Sequence, residues 1–327
     1  MSLSKSLPRE MVLEILKRLP VKPLMRFKCV SKSWRLMIDD PDFVAMHLKH
    51  SALGGTNWYL LLKVRYPSRE QKSSLYPDKS LTVDSQIEIE VPFVSPTANY
   101  SFVGSCNGLI CVSEKNTEHG SWTFFLWNLF TRKYKAVQSS SLNFAETRTV
   151  LGFGYSDRIN DYKVVRITHC RDKYGGFWRG LVSEVEVYSL STDTWRAVEF
   201  DRGCKLCDLS TVSFNGNLHW MSILADGDCS WCCGSITTFG VADEVFNEMP
   251  LPKSLVGVPS VEVNLEVLNG SLVLLISHVN WRNLVICKCD VWVMTEYGMP
   301  ESWTKLHTIH LNGDVGRFRG FTRSAWD

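Results

Sequence analysis

EVEVYSLSTDTWRAVEF, residues 184–200, decides the fold of most of this 327-residue chain. Polar and apolar residues alternate at its start, which is typical of a β-strand with one buried face. The short polar turn Ser191-Thr192-Asp193 follows, and a second run then carries Trp195. This order of strand, tight turn and strand predicts an antiparallel hairpin.

The same unit recurs along the chain. Further strand pairs are predicted at 124–129 with 134–137, 235–240 with 245–249, and 289–294 with 303–309. Their equivalent aromatic residues are 61, 51 and 53 residues apart, at Trp127, Tyr188, Phe239 and Trp292. Asn-Gly turns, a strong hairpin signal, lie between apolar runs at 107–108, 215–216 and 269–270. Four strands in about 50 residues are the sequence signature of a kelch-type β-propeller blade.

The N-terminal residues have a different period. Apolar residues recur there at helical spacing, at Met11, Val12, Ile15, Leu16 and Leu19. Pro20 ends that helix, and Ser31 can cap a later one. Strand-like sequence begins at 58–65, WYLLLKVR. We therefore predict a small all-α unit over residues 1–50 and an all-β propeller-like domain over residues 51–327.

Residues 7–34, LPREMVLEILKRLPVKPLMRFKCVSKSW, resemble a plant F-box. The resemblance implies binding of a Skp1-type adaptor and, through the adaptor, of a cullin. It also implies that nine residues face the adaptor: Leu7, Pro8, Ile15, Leu16, Leu19, Pro20, Leu24, Val30 and Trp34. The alternative is that these side chains form the internal core of the helical unit, and both roles hold in part because so small a unit cannot bury them all.

A second resemblance covers the rest of the chain. VWVMTEYGMPESWTKLHTI at 291–309, GSCNGLICV at 104–112 and NDYKVVRI at 160–167 are similar to the kelch-type F-box-associated domain of land plants. That family includes the S-locus F-box proteins of pollen self-incompatibility, which would make a self-incompatibility ribonuclease the target. Relatives continue past the last of these motifs, whereas this chain stops at Asp327. Either it is truncated, or its propeller closes with fewer strands.

The second turn of each predicted blade is long and is expected to leave on the opposite face from the first and third turns. These turns span 114–122, 169–183, 225–234 and 278–287. They carry aromatic and basic residues suited to protein binding: Trp122, Arg171, Lys173, Tyr174, Phe177, Trp178, Arg179, Trp231, Trp281 and Arg282. The alternative is that the turns are tolerated insertions whose aromatic side chains fold back on the blades.

Composition and cysteine content restrict the kinds of partner, cellular compartment and metal site to be expected. The net charge of +2 makes nucleic acid an improbable partner, and no apolar run is long enough for a membrane span. Without a secretory signal, the eleven cysteines are expected to be thiols in the cytoplasm, with the nucleus as a second compartment. Cys204, Cys207, Cys229 and Cys232 have a spacing close to that of a zinc site. We favour reduced thiols, and expect no metal and no cofactor.

The leading interpretation is a substrate receptor of a Skp1–cullin–F-box ubiquitin ligase with no chemistry of its own. No P-loop, nucleophile elbow, zincin or dinucleotide-binding motif is present in the sequence. Two alternatives remain open at this point. One is an adaptor-binding protein that acts outside a ligase, and the other is a propeller enzyme that contains a metal.

Overall fold

A computed structural model describes the chain in fifteen segments. These are residues 7–54, 58–65, 71–77, 87–94, 100–116, 120–129, 131–139, 147–170, 182–200, 205–225, 231–252, 255–256, 262–280, 285–310 and 322–325.

Four helices form the N-terminal unit. They are α1 (Arg9–Leu16), α2 (Val21–Phe27), α3 (Lys32–Ile38) and α4 (Pro41–Gly54). Pro8 and Pro20 stand immediately before α1 and α2, where a missing backbone N–H costs no helical hydrogen bond. Ser31 caps α3, because its Oγ accepts a hydrogen bond from the backbone N–H of Trp34 at 3.1 Å.

The strands of the described residues form five antiparallel sheets of four strands each. Blade 1 contains β1 (Trp58–Arg65), β2 (Gln71–Pro77), β3 (Ile87–Ile89) and β20 (Thr322–Ala325). Blade 2 contains β4 (Tyr100–Cys106), β5 (Leu109–Lys115), β6 (Trp122–Asn128) and β7 (Lys133–Gln138). Blade 3 contains β8 (Thr147–Ser156), β9 (Asp161–Cys170), β10 (Val182–Ser189) and β11 (Thr194–Ala197).

Blade 4 contains β12 (Lys205–Phe214), β13 (Asn217–Ala225), β14 (Trp231–Gly240) and β15 (Phe246–Pro250). Blade 5 contains β16 (Glu262–Leu268), β17 (Ser271–Asn280), β18 (Val285–Met294) and β19 (Trp303–His310), with a 3-10 turn at Pro300–Ser302. In blades 2 to 5, each strand pairs with the next one along the chain. The predicted combination of a helical unit and a four-stranded propeller-type repeat is confirmed.

The three Asn-Gly turns are as predicted. Asn107, Asn215 and Asn269 have φ angles of 45°, 53° and 51°, and the following glycines have φ angles of 70° to 77°. Two consecutive residues at positive φ make a type I′ turn, whose twist matches that of the flanking strands. These turns join the first two strands of blades 2, 4 and 5.

The core of the β-domain lies between blades. Trp220 of blade 4 is fully buried and shares a cluster with Val150 and Val187 of blade 3. Its indole N–H also donates to the backbone oxygen of Leu151 at 3.1 Å. Gly152 makes this approach possible, because a Cβ there would lie 2.6 Å from the Trp220 ring. Neighbouring sheets therefore hold each other by packed faces.

The first blade takes strands from both ends of the β-domain. β20 pairs antiparallel with β1, and Trp58 lies opposite Ala325. β20 also lies beside β4, so it occupies the position that β4, β8, β12 and β16 occupy in their own blades. Within the described residues, the propeller therefore has five blades, and residues 322–325 complete the first one.

Candidate functional site

The α1 surface carries an unburied apolar stripe. Leu7, Met11 and Ile15 expose 55%, 53% and 50% of their surface. They are four residues apart, so they lie on one side of the chain as it enters and follows α1. The core of the unit is filled by other residues, namely Leu16, Leu24, Ile38 and Phe43. Within the part of the chain that the structure describes, the stripe is therefore available to a partner.

The predicted adaptor-facing residues fall into three groups. Leu7, Pro8, Ile15, Pro20 and Val30 are exposed, whereas Leu19 and Trp34 are partly buried. Leu16 and Leu24 are only 1% and 4% exposed, so the structure places them in the internal core. Their contribution to a surface is indirect, through the position of α1 and α2.

Four exposed apolar residues of the helical unit were absent from the predicted set, namely Met11, Leu36, Val44 and Met46. Met11 lies between Leu7 and Ile15 in the stripe, and Leu36 of α3 is 75% exposed. The spacing of Met11 from Leu7 and Ile15 was a usable sequence signal. Nothing in the spacing of Leu36 distinguishes it from a core residue, because only the packing of α3 decides which of its sides is covered.

The predicted target-binding residues lie mostly outside the described residues. This holds for Arg171, Lys173, Tyr174, Phe177, Trp178, Arg179, Trp281 and Arg282. Trp231 begins β14, and its side chain is also outside the described set. Trp122 belongs to β6, where its ring stacks on Phe124 at 6.3 Å and the Lys115 ammonium lies 5.6 Å from the ring centre. Trp122 is thus a partly buried blade residue at the rim of a turn.

The second turns are shorter than the sequence indicated. Strands β5, β9, β13 and β17 run further than predicted, and the turns that follow them are 116–121, 171–181, 226–230 and 281–284. Residues 171–181 therefore form the longest of these four connections. We call the side of the β-domain with these connections the second-turn side, and the opposite side the first-turn side.

On the first-turn side, charged residues join neighbouring blades. Asp193 of blade 3 pairs with Lys135 of blade 2 at 2.9 Å, and this hydrogen bond lowers the pKa of Asp193 and raises that of Lys135. Glu244 of blade 4 pairs with both Lys163 and Arg196 of blade 3. Asp193 and Glu244 both have positive φ angles in the third turns of their blades. These charges are engaged in holding blades together.

The helical unit also meets this side. A groove of about 1130 Å³ lies between α4 and the turns of blades 2, 3 and 4. Its lining includes Asp42 and Met46 of α4 and Asn107, Asp157 and Asn215 of the turns. The second-turn side therefore points away from the helical unit.

Blade 5 carries a compact polar cluster formed by β17, β18 and β19. The Asp290 carboxylate accepts hydrogen bonds from Thr308 at 2.7 Å, from Lys305 at 2.9 Å and from His278 at 2.9 Å. Burial alone would raise the pKa of Asp290, but these three donors outweigh it and lower the pKa to about 2. Asp290 is therefore ionised at neutral pH and fully engaged by its neighbours.

The described residues give no support to a catalytic or metal site. Among them, no group of three or more His, Cys, Asp or Glu side chains could hold a metal ion. Cys204 and Cys229 lie outside the described residues, and the side chains of Cys207 and Cys232 do as well. Burial raises the pKa of the Cys111 thiol far above its ordinary value, which disfavours a thiolate nucleophile there. Within the same residues, no helix has the length and apolar character needed to cross a bilayer.

Comparison with known proteins matches both parts of the chain. Residues 5–45 match the F-box domain, and residues 62–322 match the F-box associated beta propeller domain. An F-box/kelch-repeat protein of Arabidopsis thaliana is 30% identical, over 93% of this chain and 79% of the relative. The F-box protein CPR1 of the same plant is 28% identical, over 96% of this chain and 75% of the relative. Among solved structures, YjhT matches with a TM-score of 0.46 and 10% identity, over 69% of this chain and 70% of that protein.

The order of the elements agrees with these matches. The four short helices with an exposed apolar stripe coincide with the first matched region, and the five four-stranded sheets coincide with the second. An F-box implies binding of a Skp1-type adaptor. This chain belongs to the family of F-box proteins with an F-box-associated β-propeller domain.

Proposed function

We propose that this protein is the substrate-recognition subunit of a Skp1–cullin–F-box ubiquitin ligase. The observation that carries the proposal is the α1 stripe. Leu7, Met11 and Ile15 stay about half exposed although the unit already has its own core. An apolar stripe of this kind on a small helical unit is a surface for a partner helix.

The β-domain supplies the target-binding part of the proposal. The strands that flank residues 171–181 end at Cys170 and begin at Val182, on the side that points away from the helical unit. A target held there would be tethered to the same scaffold as the ubiquitin-loaded enzyme. The effective concentration of target lysines near that enzyme rises without chemistry by this chain. This role suits a non-catalytic protein of the cytoplasm and nucleus.

The target itself is an open part of the proposal. A self-incompatibility ribonuclease follows only from the resemblance to S-locus F-box proteins, and the Arabidopsis relatives do not bear on it. An adaptor-binding protein that acts outside a ligase would share the α1 stripe. Assembly with a cullin separates these two functions.

The adaptor test uses two substitutions in the stripe. Met11→Glu combined with Ile15→Glu would place two charges in the apolar contact, and we expect at least a 100-fold loss of Skp1 affinity, because each buried uncompensated charge costs several kcal/mol. Val44→Glu is the matched control, since Val44 is a 43% exposed apolar residue on α4. Calorimetric titration with purified Skp1 gives both affinities, and circular dichroism checks that the helices remain.

The outcomes distinguish the functions. Wild-type Skp1 affinity in the double variant would contradict the adaptor role of the stripe. If Skp1 binds but the complex recruits no cullin, the chain acts outside a ligase. Recruitment of cullin that depends on Met11 and Ile15 supports the receptor function.

A further inference from the structure

The outer strand of blade 5 differs from the outer strands of the other blades. β19 has eight residues, whereas β3, β7, β11 and β15 have three, six, four and five. Among the described strands, β19 is the last of its sheet and pairs with β18 alone. An edge strand presents unpaired backbone N–H and C=O groups, and a long one is a template for a further strand.

Apolar side chains on β19 face outward. Leu306 and Ile309 are each 48% exposed. Two of the corresponding strands bury an aliphatic residue, Val137 of β7 and Met249 of β15, whereas β19 buries Trp303 and β3 exposes 48% of Ile87. The exposed Tyr134 of β7 is covered in part by Phe93, whose ring centre lies 4.7 Å away. Within the described residues, β19 therefore has an unpaired edge and two half-exposed aliphatic side chains.

Lysine and histidine side chains lie near β19. Lys288 of β18 lies directly opposite His310 of β19, and His278 of β17 lies directly opposite Lys288. These three side chains form a row across blade 5 at its second-turn end. Asp290 is the carboxylate of the next row, and Thr308, Lys305 and His278 already engage it. Within the described part of the chain, no carboxylate forms an ion pair with Lys288.

We propose that the β19 edge is a docking site for an extended acidic segment of a target protein, which adds to blade 5 as a fifth strand. In such a strand, alternate side chains lie on the same face. Acidic residues on one face would meet Lys288, Lys305 and His310, and apolar residues on the other face would meet Ile309. This inference rests on the proposed function, because it assigns the partner to the target.

A second copy of this chain is a poorer occupant of the same edge. Antiparallel pairing of two β19 strands would bring the basic residues of both copies into one strip. β19 contains no Asp or Glu, so a second β19 strand would offer Lys305 no opposite charge, and opposite-charge pairs are among those that stabilise a strand pair. β15 carries Glu248 and β3 carries Glu88, whereas β7 carries Lys133 and Lys135, of which Lys135 pairs with Asp193. The length of β19, its lack of a carboxylate and the nearby Lys288 favour an acidic partner there.

The test uses the full chain bound to Skp1 and a fluorescent peptide of alternating Glu and Val. Fluorescence anisotropy should show saturable binding that weakens with salt, and a peptide of alternating Lys and Val should not bind. Lys288→Ala combined with His310→Ala should weaken binding by about tenfold, since charged interface contacts are commonly worth about 1–2 kcal/mol. Lys133→Ala, an exposed lysine of β7, is the matched control and should leave binding unchanged.

A backbone-methylated form of the Glu-Val peptide separates strand addition from attraction of charge alone. N-methyl groups at alternate residues remove the hydrogen bonds to an edge strand and keep every side chain. We expect this peptide to lose binding. Equal binding of the methylated peptide, or no binding of the unmethylated one, would overturn the inference. Dimerisation of the wild-type chain that the Lys288 and His310 substitutions change would assign the edge to a second copy and would also overturn it.

Skp1 binding is measured on the same samples. If Skp1 binds the chain normally while the Glu-Val peptide does not, the receptor function stands and only the β19 inference fails. If Skp1 does not bind, the proposed function fails by itself, whatever the peptide does.

Discussion

Leu16 and Trp220 are both essentially buried, but the structures around them differ. Leu16 belongs to a cluster with three other fully buried side chains, from α2, α3 and α4. Trp220 belongs to a cluster shared by blades 3 and 4, and comparable clusters join blades 1 to 2, 2 to 3 and 4 to 5. The stability of the helical unit thus depends on one small core, whereas the β-domain distributes its buried side chains over several interfaces between blades.

The helical unit and the β-domain also differ in the apolar side chains that they leave exposed. The helical unit exposes an apolar stripe on α1, which a partner can cover. The β-domain covers most of its large apolar residues, and it joins its blades on the first-turn side by pairs such as Lys163 with Glu244. A unit with a minimal core can gain stability from its partner, since any ligand that binds only the folded state stabilises that state.

The largest effect is expected in the helical unit. Leu16→Ala should lower the free energy of unfolding of this unit by about 3–4 kcal/mol, because it removes most of a fully buried side chain from a small core. Ile15→Ala is the control, since Ile15 is half exposed and its loss should cost less than about 0.5 kcal/mol. Far-ultraviolet circular dichroism during urea unfolding measures both.

Skp1 should reverse part of this difference. Bound adaptor should raise the unfolding midpoint of the Leu16→Ala variant, whereas Ile15→Ala should weaken adaptor binding without unfolding the unit. If the two variants were equally stable in the absence of Skp1, the assignment of Leu16 to the core and of Ile15 to the stripe would be contradicted.

The second prediction concerns pH and blade 4. Burial lowers the pKa of His219 to about 4, although its hydrogen bonds to backbone groups act in the opposite direction. The Nδ1–H donates to Val212 O at 3.2 Å, and Nε2 accepts from the Tyr297 hydroxyl at 2.9 Å. The ordinary pKa of histidine is 6.5, so the unfolded chain binds a proton more readily than the folded one. The free energy of unfolding is therefore highest above about pH 6.5 and falls by up to about 3 kcal/mol as the pH drops to about 4.

His219→Gln tests this assignment, because glutamine does not titrate. The variant should be less stable at pH 7, yet its stability should change little between pH 6.5 and pH 4. Asp290 acts in a lower window: its pKa is lowered to about 2, so its contribution is present above about pH 4 and is lost as the pH falls towards 2. If His219→Gln lost as much stability as wild type between pH 6.5 and pH 4, another group would be responsible for the pH dependence.

A smaller effect is expected where two blades approach most closely. Gly152→Ala should destabilise the β-domain by about 2 kcal/mol, because the new Cβ would overlap Trp220 and Leu218. Gly104→Ala is the matched control on the first strand of blade 2, where a Cβ would meet Phe153 at ordinary contact distances of 3.5 and 3.6 Å. Intrinsic tryptophan fluorescence during thermal unfolding reports both changes. Similar midpoints for the two variants would mean that the blade interface adapts to added volume.

The sequence by itself determined the repeat and its turns. Alternation at 184–200 and the Asn-Gly pairs at 107–108, 215–216 and 269–270 depend on local backbone preferences, so they could be predicted without a fold. The helical spacing of residues 11–19 predicted α1 for the same reason. The same spacing could not show that Leu16 faces the core while Ile15 faces outward. The two residues are apolar and adjacent, and only the packing of the neighbouring helices decides which side of α1 is covered.

The tertiary structure alone decided the relations between distant residues. Pairing of residues 322–325 with β1 joins segments more than 250 residues apart in sequence, and no local pattern encodes such a pair. The same is true of the Asp290 cluster, in which Asp290 of β18 meets donors from β17 and β19 only through the register of blade 5. Local periodicity thus fixed the elements of this protein, whereas register and packing decided which of their side chains remain available to a partner.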